Sequence, residues 1–246
     1  MRRSLHDRRI LITGGGTGIG KALAESAARE GAAVFVTGRR PEPLAETVGS
    51  ILGITPGARA GFLPLDLTAP KAPARLVGEA VQFLGSLDTL VVNAGFGEKR
   101  ALGEFDEKTI DESIAVNLTA AIKTTQAALT ALEESARARP GADIILLASI
   151  AGMQGFAGGS IYCATKWGVR GFGKALQEEL KPKNIRVTMI CPGSTDTAFF
   201  DRFPAGIPRT EMLRPAEVAD AILHVLSARP EVLFEELILR PRVVKT

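Results

Sequence analysis

Aromatic side chains are scarce in this chain. Its 246 residues include one tyrosine, one tryptophan and 11 phenylalanines, so the core must be built mainly from Ala, Val, Ile and Leu. Cysteine is scarcer still: Cys163 and Cys191 show no metal or redox spacing, and nothing about them demands an oxidising compartment. Both stand in apolar surroundings and are expected as small buried hydrophobes, and no metal site is expected. Long hydrophobic runs are absent. Without a stretch of about 18 apolar residues no membrane span is expected, and the start, "MRRSLHDRRILITGGG", has too short an apolar run for a signal-peptide core. The expected location is the cytoplasm. An excess of one charge is also missing: 30 Lys and Arg stand against 27 Asp and Glu, a net +3 with a sequence pI near 9.0. Nucleic-acid binding would want a dense basic stripe on one face. The nearest candidate, Arg2, Arg3, Arg8 and Arg9, reads as a solvated N-terminal arm, and no nucleic-acid partner is expected.

What is present is a chain of 46% hydrophobic and 23% charged residues, the balance of a soluble globular protein long enough for a substantial core. Short apolar runs alternate with longer helical stretches. "RILIT", "AAVFVTG", "AGFLPLD", "LDTLVVNAG", "ADIILLAS", "IRVTMICPG" and "FEELIL" read as strands. Helices are expected up to residue 31, from 42, and over 72–84, 109–136, 160–180 and 215–228. Strands that are apolar almost throughout belong in a sheet covered on both faces, and alternation with helices makes the connections βαβ crossovers. The expectation is one domain over residues 1–246: an α/β, doubly wound parallel sheet with helices on both faces. Residues 194–213, with three Phe and no clear periodicity, are expected to be its most mobile stretch.

"TGGGTGIG", Thr13 to Gly20, follows the first strand and opens the first helix. Glycines there let a phosphate approach backbone N–H groups at a helix N-terminus. The spacing is Gly14, Gly18, Gly20, not a literal G-x-G-x-x-G. Glycine turns also occur for geometric reasons alone, but the place at the first βα junction favours a dinucleotide. An NAD site usually ends its second strand in an acid that accepts from the ribose 2′-OH. Here the place reads "VTGRR": Gly38 replaces the acid, and Arg39 follows, suited to a 2′-phosphate. NADPH is therefore preferred over NADH.

The single tyrosine, in "IYCATK", stands four residues before Lys166, which puts both on one helix face with Cβ atoms about 5–6 Å apart. A nearby cation favours phenolate and makes the phenol a usable general acid/base. Taken alone, the pair fits a core Tyr and a solvated Lys about as well.

The order of "TGGGTGIG", "NAG" at Asn93 to Gly95, Asn117 in "AVNLTAA", Ser149, "YCATK" and "PG" at Pro192 and Gly193 resembles the short-chain dehydrogenase/reductase family over residues 9–239. The resemblance implies a Rossmann fold and an NADP-dependent oxidoreductase interconverting a ketone or aldehyde and an alcohol. It implies Tyr162 as general acid/base and Lys166 as the group that lowers the phenol's pKa and holds the nicotinamide ribose. Ser149 would hydrogen-bond the substrate oxygen, and Asn117 would position a relay water. Gly14, Thr17, Gly18, Ile19 and Gly20 would surround the diphosphate, with Asp66 and Leu67 at the adenine. Asn93, Ala94 and Gly95 would line the adenosine ribose, and Pro192, Gly193, Thr195 and Thr197 the nicotinamide. Relatives that reduce 3-oxoacyl groups on acyl carrier protein commonly finish with Gly-Gly; this chain ends "EELILRPRVVKT", which weakens that alternative. A non-catalytic dinucleotide-binding sensor is the alternative from another class, and it would need none of the four polar residues.

The pocket is expected from residues 151–160, the stretch after Gly95, and 198–213. Met153, Phe156, Phe199, Phe200 and Phe203 make it apolar, and Arg202 and Arg209 read as solvated charges. The expected substrate is a small uncharged carbonyl or alcohol. Ala164, Gly168, Gly171 and Ala175 form a stripe of small residues on the Tyr162 helix, and the family resemblance implies a homodimer or homotetramer.

Overall fold

The computed structural model describes residues 3–203, 206 and 208–242. Seven strands form one sheet: β1 (Arg9–Thr13), β2 (Ala33–Gly38), β3 (Ala60–Pro64), β4 (Thr89–Val92), β5 (Ala142–Leu147), β6 (Ile185–Pro192) and β7 (Glu236–Leu239). Their order is β3-β2-β1-β4-β5-β6-β7, and every pairing is parallel. The helices are α1 (Gly18–Arg29), α2 (Pro41–Ile54), α3 (Ala72–Leu84), α4 (Glu107–Ile114), α5 (Ala120–Ala138), α6 (Ser160–Leu180) and α7 (Pro215–Leu226).

Strand alternation sends side chains to two cores. Leu11, Leu90, Ile144 and Leu146 meet α3, α5 and α6 on one face. Ile10, Ile12, Val91 and Ile145 meet α1, α2 and α7 on the other. Central strands β4 and β5 are buried at every position, which explains their continuous apolar sequence. The edge strands β3 and β7 are only partly covered and leave Phe62 and Ile238 exposed, so cover on both faces holds for the middle of the sheet.

The chain order runs outward in one direction through β2 and β3, and in the other through β4 to β7, so β1 and β4 flank the switch point. Ligands of such sheets bind beyond the carboxyl ends of the strands at that crevice. Gly14, Asn93, Ser149 and Gly193 all stand just beyond those ends.

Two expectations need correction. The helix expected over 109–136 is broken: a π-helical turn, Ala115–Thr119, separates α4 from α5. The cause is distant in sequence. The Asn117 side chain accepts from the Phe96 N–H at 2.9 Å and donates to the Phe96 carbonyl at 2.8 Å, which holds the widened turn in place. The N-terminal arginines are likewise not a solvated arm. Asp143, at the start of β5, is 1% exposed. It pairs with Arg8, with Arg3 at 3.3 Å and with Arg186 at 2.7 Å. A buried carboxylate without counter-charge is costly, so the arginines are drawn under the sheet. Arg2 lies outside the described residues. No helix among the described residues is long and apolar enough to cross a membrane.

Candidate active site

The glycine turn after β1 is held from β4. The Asn93 amide donates to the Thr13 and Gly14 carbonyls at 2.9 and 3.1 Å, and the Thr13 hydroxyl accepts from Asn93 and Ala94 N–H. Gly14 has φ +68, and a Cβ there would stand 2.8 Å from the Asn93 amide nitrogen. A Cβ at Gly20 would fall 2.2 Å from the Gly14 carbonyl oxygen. Only glycine closes this turn against the start of α1, where the first N–H groups of the helix face outward. Thr17 caps α1 in extended conformation without a side-chain cap bond, Gly18 opens the helix, and Ile19 packs on the α1 core.

A groove of about 500 Å³ runs from this turn along the ends of β2 and β3. Gly14, Thr17, Arg39, Arg40, Asp66, Leu67, Ala94 and Gly95 are among its walls. Its shape and donors fit a nucleotide: N–H groups at one end, two exposed arginines at the other, apolar wall between. Thr68 donates from backbone and hydroxyl to Asp66 at 2.9 and 2.7 Å, and these bonds, helped by the Arg39 charge, hold the Asp66 carboxyl below its usual range.

Beyond β5 and on α6 the four polar residues come together. Ser149 caps the 3-10 turn Ile150–Gly152, where its hydroxyl accepts from Ala151 N–H at 3.1 Å. The same hydroxyl donates to the Pro192 carbonyl at 3.5 Å and faces the Tyr162 phenol. Burial pushes that phenol up to about 12, and the nearby Ser149 hydroxyl draws it back. Lys166 is buried; its Nζ donates to the Leu147 carbonyl at 2.7 Å and stands 5.7 Å from the Tyr162 ring centroid. Burial pulls its ammonium down to about 8. Burial sets the direction of the phenol's shift here: the Lys166 ammonium faces the ring and a carbonyl, while the enclosed phenol loses its hydration. Asn117 reaches the same centre through Thr165, whose hydroxyl accepts from its amide at 3.3 Å and donates to the Tyr162 carbonyl at 2.8 Å.

On the nicotinamide side, Gly193 N–H donates to the Leu239 carbonyl at 2.7 Å, which ties the end of β6 to β7. Thr197 lies over the N-terminus of α1, with its methyl 2.9 Å from where a Gly18 Cβ would stand. Thr195 is buried and its hydroxyl donates to the Gly193 carbonyl at 3.0 Å, a bond that braces the loop. Thr195 also bridges to Leu213, so the 194–213 segment is a loop with paired ends. Sequence reasoning missed Thr165, although it lies in "YCATK", and it missed Arg170. Arg170 grips both Glu236 carboxylate oxygens and reaches the Gly152 carbonyl at 3.4 Å, which braces the Ser149 turn from behind.

A glycine turn opening α1 at the switch point and a phenol, hydroxyl and ammonium cluster beside it define a nucleotide-binding α/β oxidoreductase. Comparison with known proteins agrees. The family described as short chain dehydrogenase matches residues 8–206, and the chain belongs to it. An uncharacterized oxidoreductase of Staphylococcus aureus is 31% identical over 238 residues, covering 96% of this chain and 98% of that protein. An alcohol dehydrogenase of the archaeon Thermococcus sibiricus, complexed with 5-hydroxy-NADP, superposes with TM-score 0.87 at 28% identity, covering 97% of this chain and 98% of that one. A 3-ketoacyl-(acyl-carrier-protein) reductase of Brucella melitensis, complexed with NADH, gives TM-score 0.89 at 26% identity, covering 97% and 99%.

Proposed function

We propose that this oxidoreductase uses NADP(H) to interconvert a ketone or aldehyde with the corresponding alcohol. The observation that carries the reading is a cluster of Tyr162, Ser149 and Lys166 beside a groove walled by Arg39, Arg40 and Gly95: a Cβ at Gly95 would stand 3.8 Å from Lys166 Nζ. Gly14, Thr17, Gly18, Ile19 and Gly20 would hold the diphosphate, Arg39 a 2′-phosphate, and Asp66 and Leu67 the adenine. Asn93, Ala94 and Gly95 would line the ribose, and Pro192, Gly193, Thr195 and Thr197 the nicotinamide. When bound, the nicotinamide supplies hydride in reduction and accepts it in oxidation.

The chain's own groups then manage the proton. In reduction Tyr162 donates its phenolic proton to the carbonyl oxygen, and Ser149 donates a second hydrogen bond to that oxygen as its charge grows. Lys166 gives its proton towards the phenolate that remains, and its pKa near 8 keeps that proton available near neutral pH. Asn117 keeps the π turn and the Phe96 loop after β4 fixed beside them. A second reading, reduction of a 3-oxoacyl thioester, draws on the likeness to the Brucella reductase.

The test is a panel of ketones, aldehydes and one 3-oxoacyl thioester with NADPH and with NADH, followed at the nicotinamide absorbance. Turnover with NADPH ahead of NADH supports the reading. Tight cofactor binding with no turnover of any member supports the sensor instead. For assembly, the exposed stripe of Ala164, Gly171 and Ala175 beside the exposed Trp167 favours a homodimer or homotetramer, whereas Gly168 already packs on Leu118 within the chain. Sedimentation at micromolar concentration decides it. Cytoplasmic location belongs to the same reading.

A further inference from the structure

Four of the phenylalanines converge on the only tyrosine. Phe199 and Phe203 place their ring centroids 5.2 and 5.5 Å from that of Tyr162. Phe156 meets Phe203 edge-on at 5.7 Å, and Phe200 meets Phe199 edge-on at 5.2 Å. Gly97 forms the floor: a Cβ there would stand 2.7 Å from Phe199 and 3.0 Å from Tyr162. Several charges beside this cage are paired with one another, and Arg202 is exposed. Arg209 pairs with Asp196 at 2.8 Å and with Asp201, and donates to the Thr197 carbonyl at 2.8 Å. Glu98 pairs with Arg100 at 2.6 Å. Arg209 is exposed, as the sequence leads one to expect, but its pairs also clasp the stretch that carries Phe199 and Phe203.

We propose, on the reading of the site as a carbonyl–alcohol centre, that the cage selects an uncharged ketone bearing a flat ring, and that Arg209 is a positioning residue holding the cage on Tyr162. The rings already touch one another, so a substrate enters by replacing ring–ring contacts. A flat π ring replaces them in kind, whereas a straight acyl chain recovers only buried area. A carboxylate substrate would lose its hydration among the rings and find Arg209 already paired with Asp196 and Asp201.

Three probes separate these demands: acetophenone, 2-octanone with the same carbon count, and 4-acetylbenzoate. Each is tested for turnover with NADPH and, by calorimetry, for binding to the protein saturated with NADP⁺. Acetophenone should exceed 2-octanone in kcat/KM and in affinity by roughly ten-fold, the worth of one or two aromatic contacts. It should exceed 4-acetylbenzoate by at least as much. Phe203→Leu should bring the acetophenone to 2-octanone ratio towards unity. Arg209→Met should raise KM for acetophenone more than it lowers kcat, with NADPH affinity kept, and Arg209→Lys should recover part of the loss. A preference for 2-octanone or for 4-acetylbenzoate overturns the cage, as does a ratio unmoved by Phe203→Leu. If no carbonyl turns over, the proposed activity falls separately, and the calorimetric ratio alone still decides the cage: ten-fold tighter acetophenone upholds it, equal binding overturns it.

Discussion

At the N-terminal edge of the sheet Asp88 and Asp143 are 0% and 1% exposed, and arginines surround them: Arg9 and Arg139 at Asp88, Arg3, Arg8 and Arg186 at Asp143. At the C-terminal edge Lys166 is 5% exposed, and no carboxylate pairs with it among the described residues. The same sheet thus buries charge twice under opposite rules. At the lower edge every buried carboxylate has its counter-ions, and the guanidinium forks tie residues 3–9 to β5 and β6. At the upper edge a buried ammonium and a half-buried phenol lack ionic compensation, and both have displaced proton affinities. Paired burial holds structure; unpaired burial costs stability and leaves a group ready to exchange a proton.

Substitutions at the two edges should therefore fail in opposite ways. The largest effect is expected from Tyr162→Phe. Removing only the hydroxyl should lower turnover by roughly 10²–10⁴-fold, the usual worth of general acid–base catalysis. NADPH binding and thermal stability should survive, since the ring keeps its contacts with Phe199 and Phe203. Steady-state kinetics with separate fluorescence binding checks this, and near wild-type turnover would reduce the phenol to packing. Asp143→Ala should do the reverse. It strands Arg8 and Arg186 under the sheet and should cost about 3–5 kcal/mol in denaturant unfolding, while the folded fraction keeps its kcat. A drop in kcat with unchanged stability would break the contrast between the edges. Arg39→Ala should be milder. Losing one charge-assisted bond of about 1.5–3 kcal/mol predicts a roughly 10- to 100-fold weaker NADPH complex, with NADH nearly unchanged. Equal losses for both cofactors would remove Arg39 from the 2′-phosphate.

The contrast also marks how far the sequence could be read. Helices α3 and α6 match the expected spans 72–84 and 160–180 because their signals are local: apolar periodicity, with Pro73 in the first turn of one and a glycine run before the other. The glycine turn and the Tyr162–Lys166 face are equally local. What escaped depends on partners far along the chain. Arg8 meets Asp143 across 135 positions, and Asn117 meets Phe96 across 21, so neither the ion cluster nor the π turn leaves a periodic trace. The phenol's pKa escaped for the same reason. The pairing with Lys166 is visible at a spacing of four, but the burial that outweighs it comes from Phe199 and Phe203, brought over by a loop without regular pattern.

The smallest effect, and the finest test of unpaired burial at the upper edge, is the pH dependence of stability carried by Lys166. Burial lowers its pKa from 10.5 to about 8 in the folded chain. Between those values the unfolded chain binds more protons, so this group makes stability rise with pH from about 8 to 10.5. Below that window the ammonium stays charged in both states and its burial cost is fully present. Tyr162 acts with the opposite sign at higher pH: a phenol raised from 10.0 to about 12 keeps its proton longer when folded, so its contribution is lost above pH 10. Lys166→Met removes the first effect and leaves the second. The stability difference between wild type and Lys166→Met should therefore shift in favour of wild type between pH 8 and 10, by about 1 kcal/mol per pH unit at most. Urea unfolding at pH 7, 8, 9 and 10 measures it. A difference that stays flat across that range would mean that Lys166 keeps an ordinary ammonium pKa in the folded chain, and the upper edge would then hold its charge as cheaply as the lower.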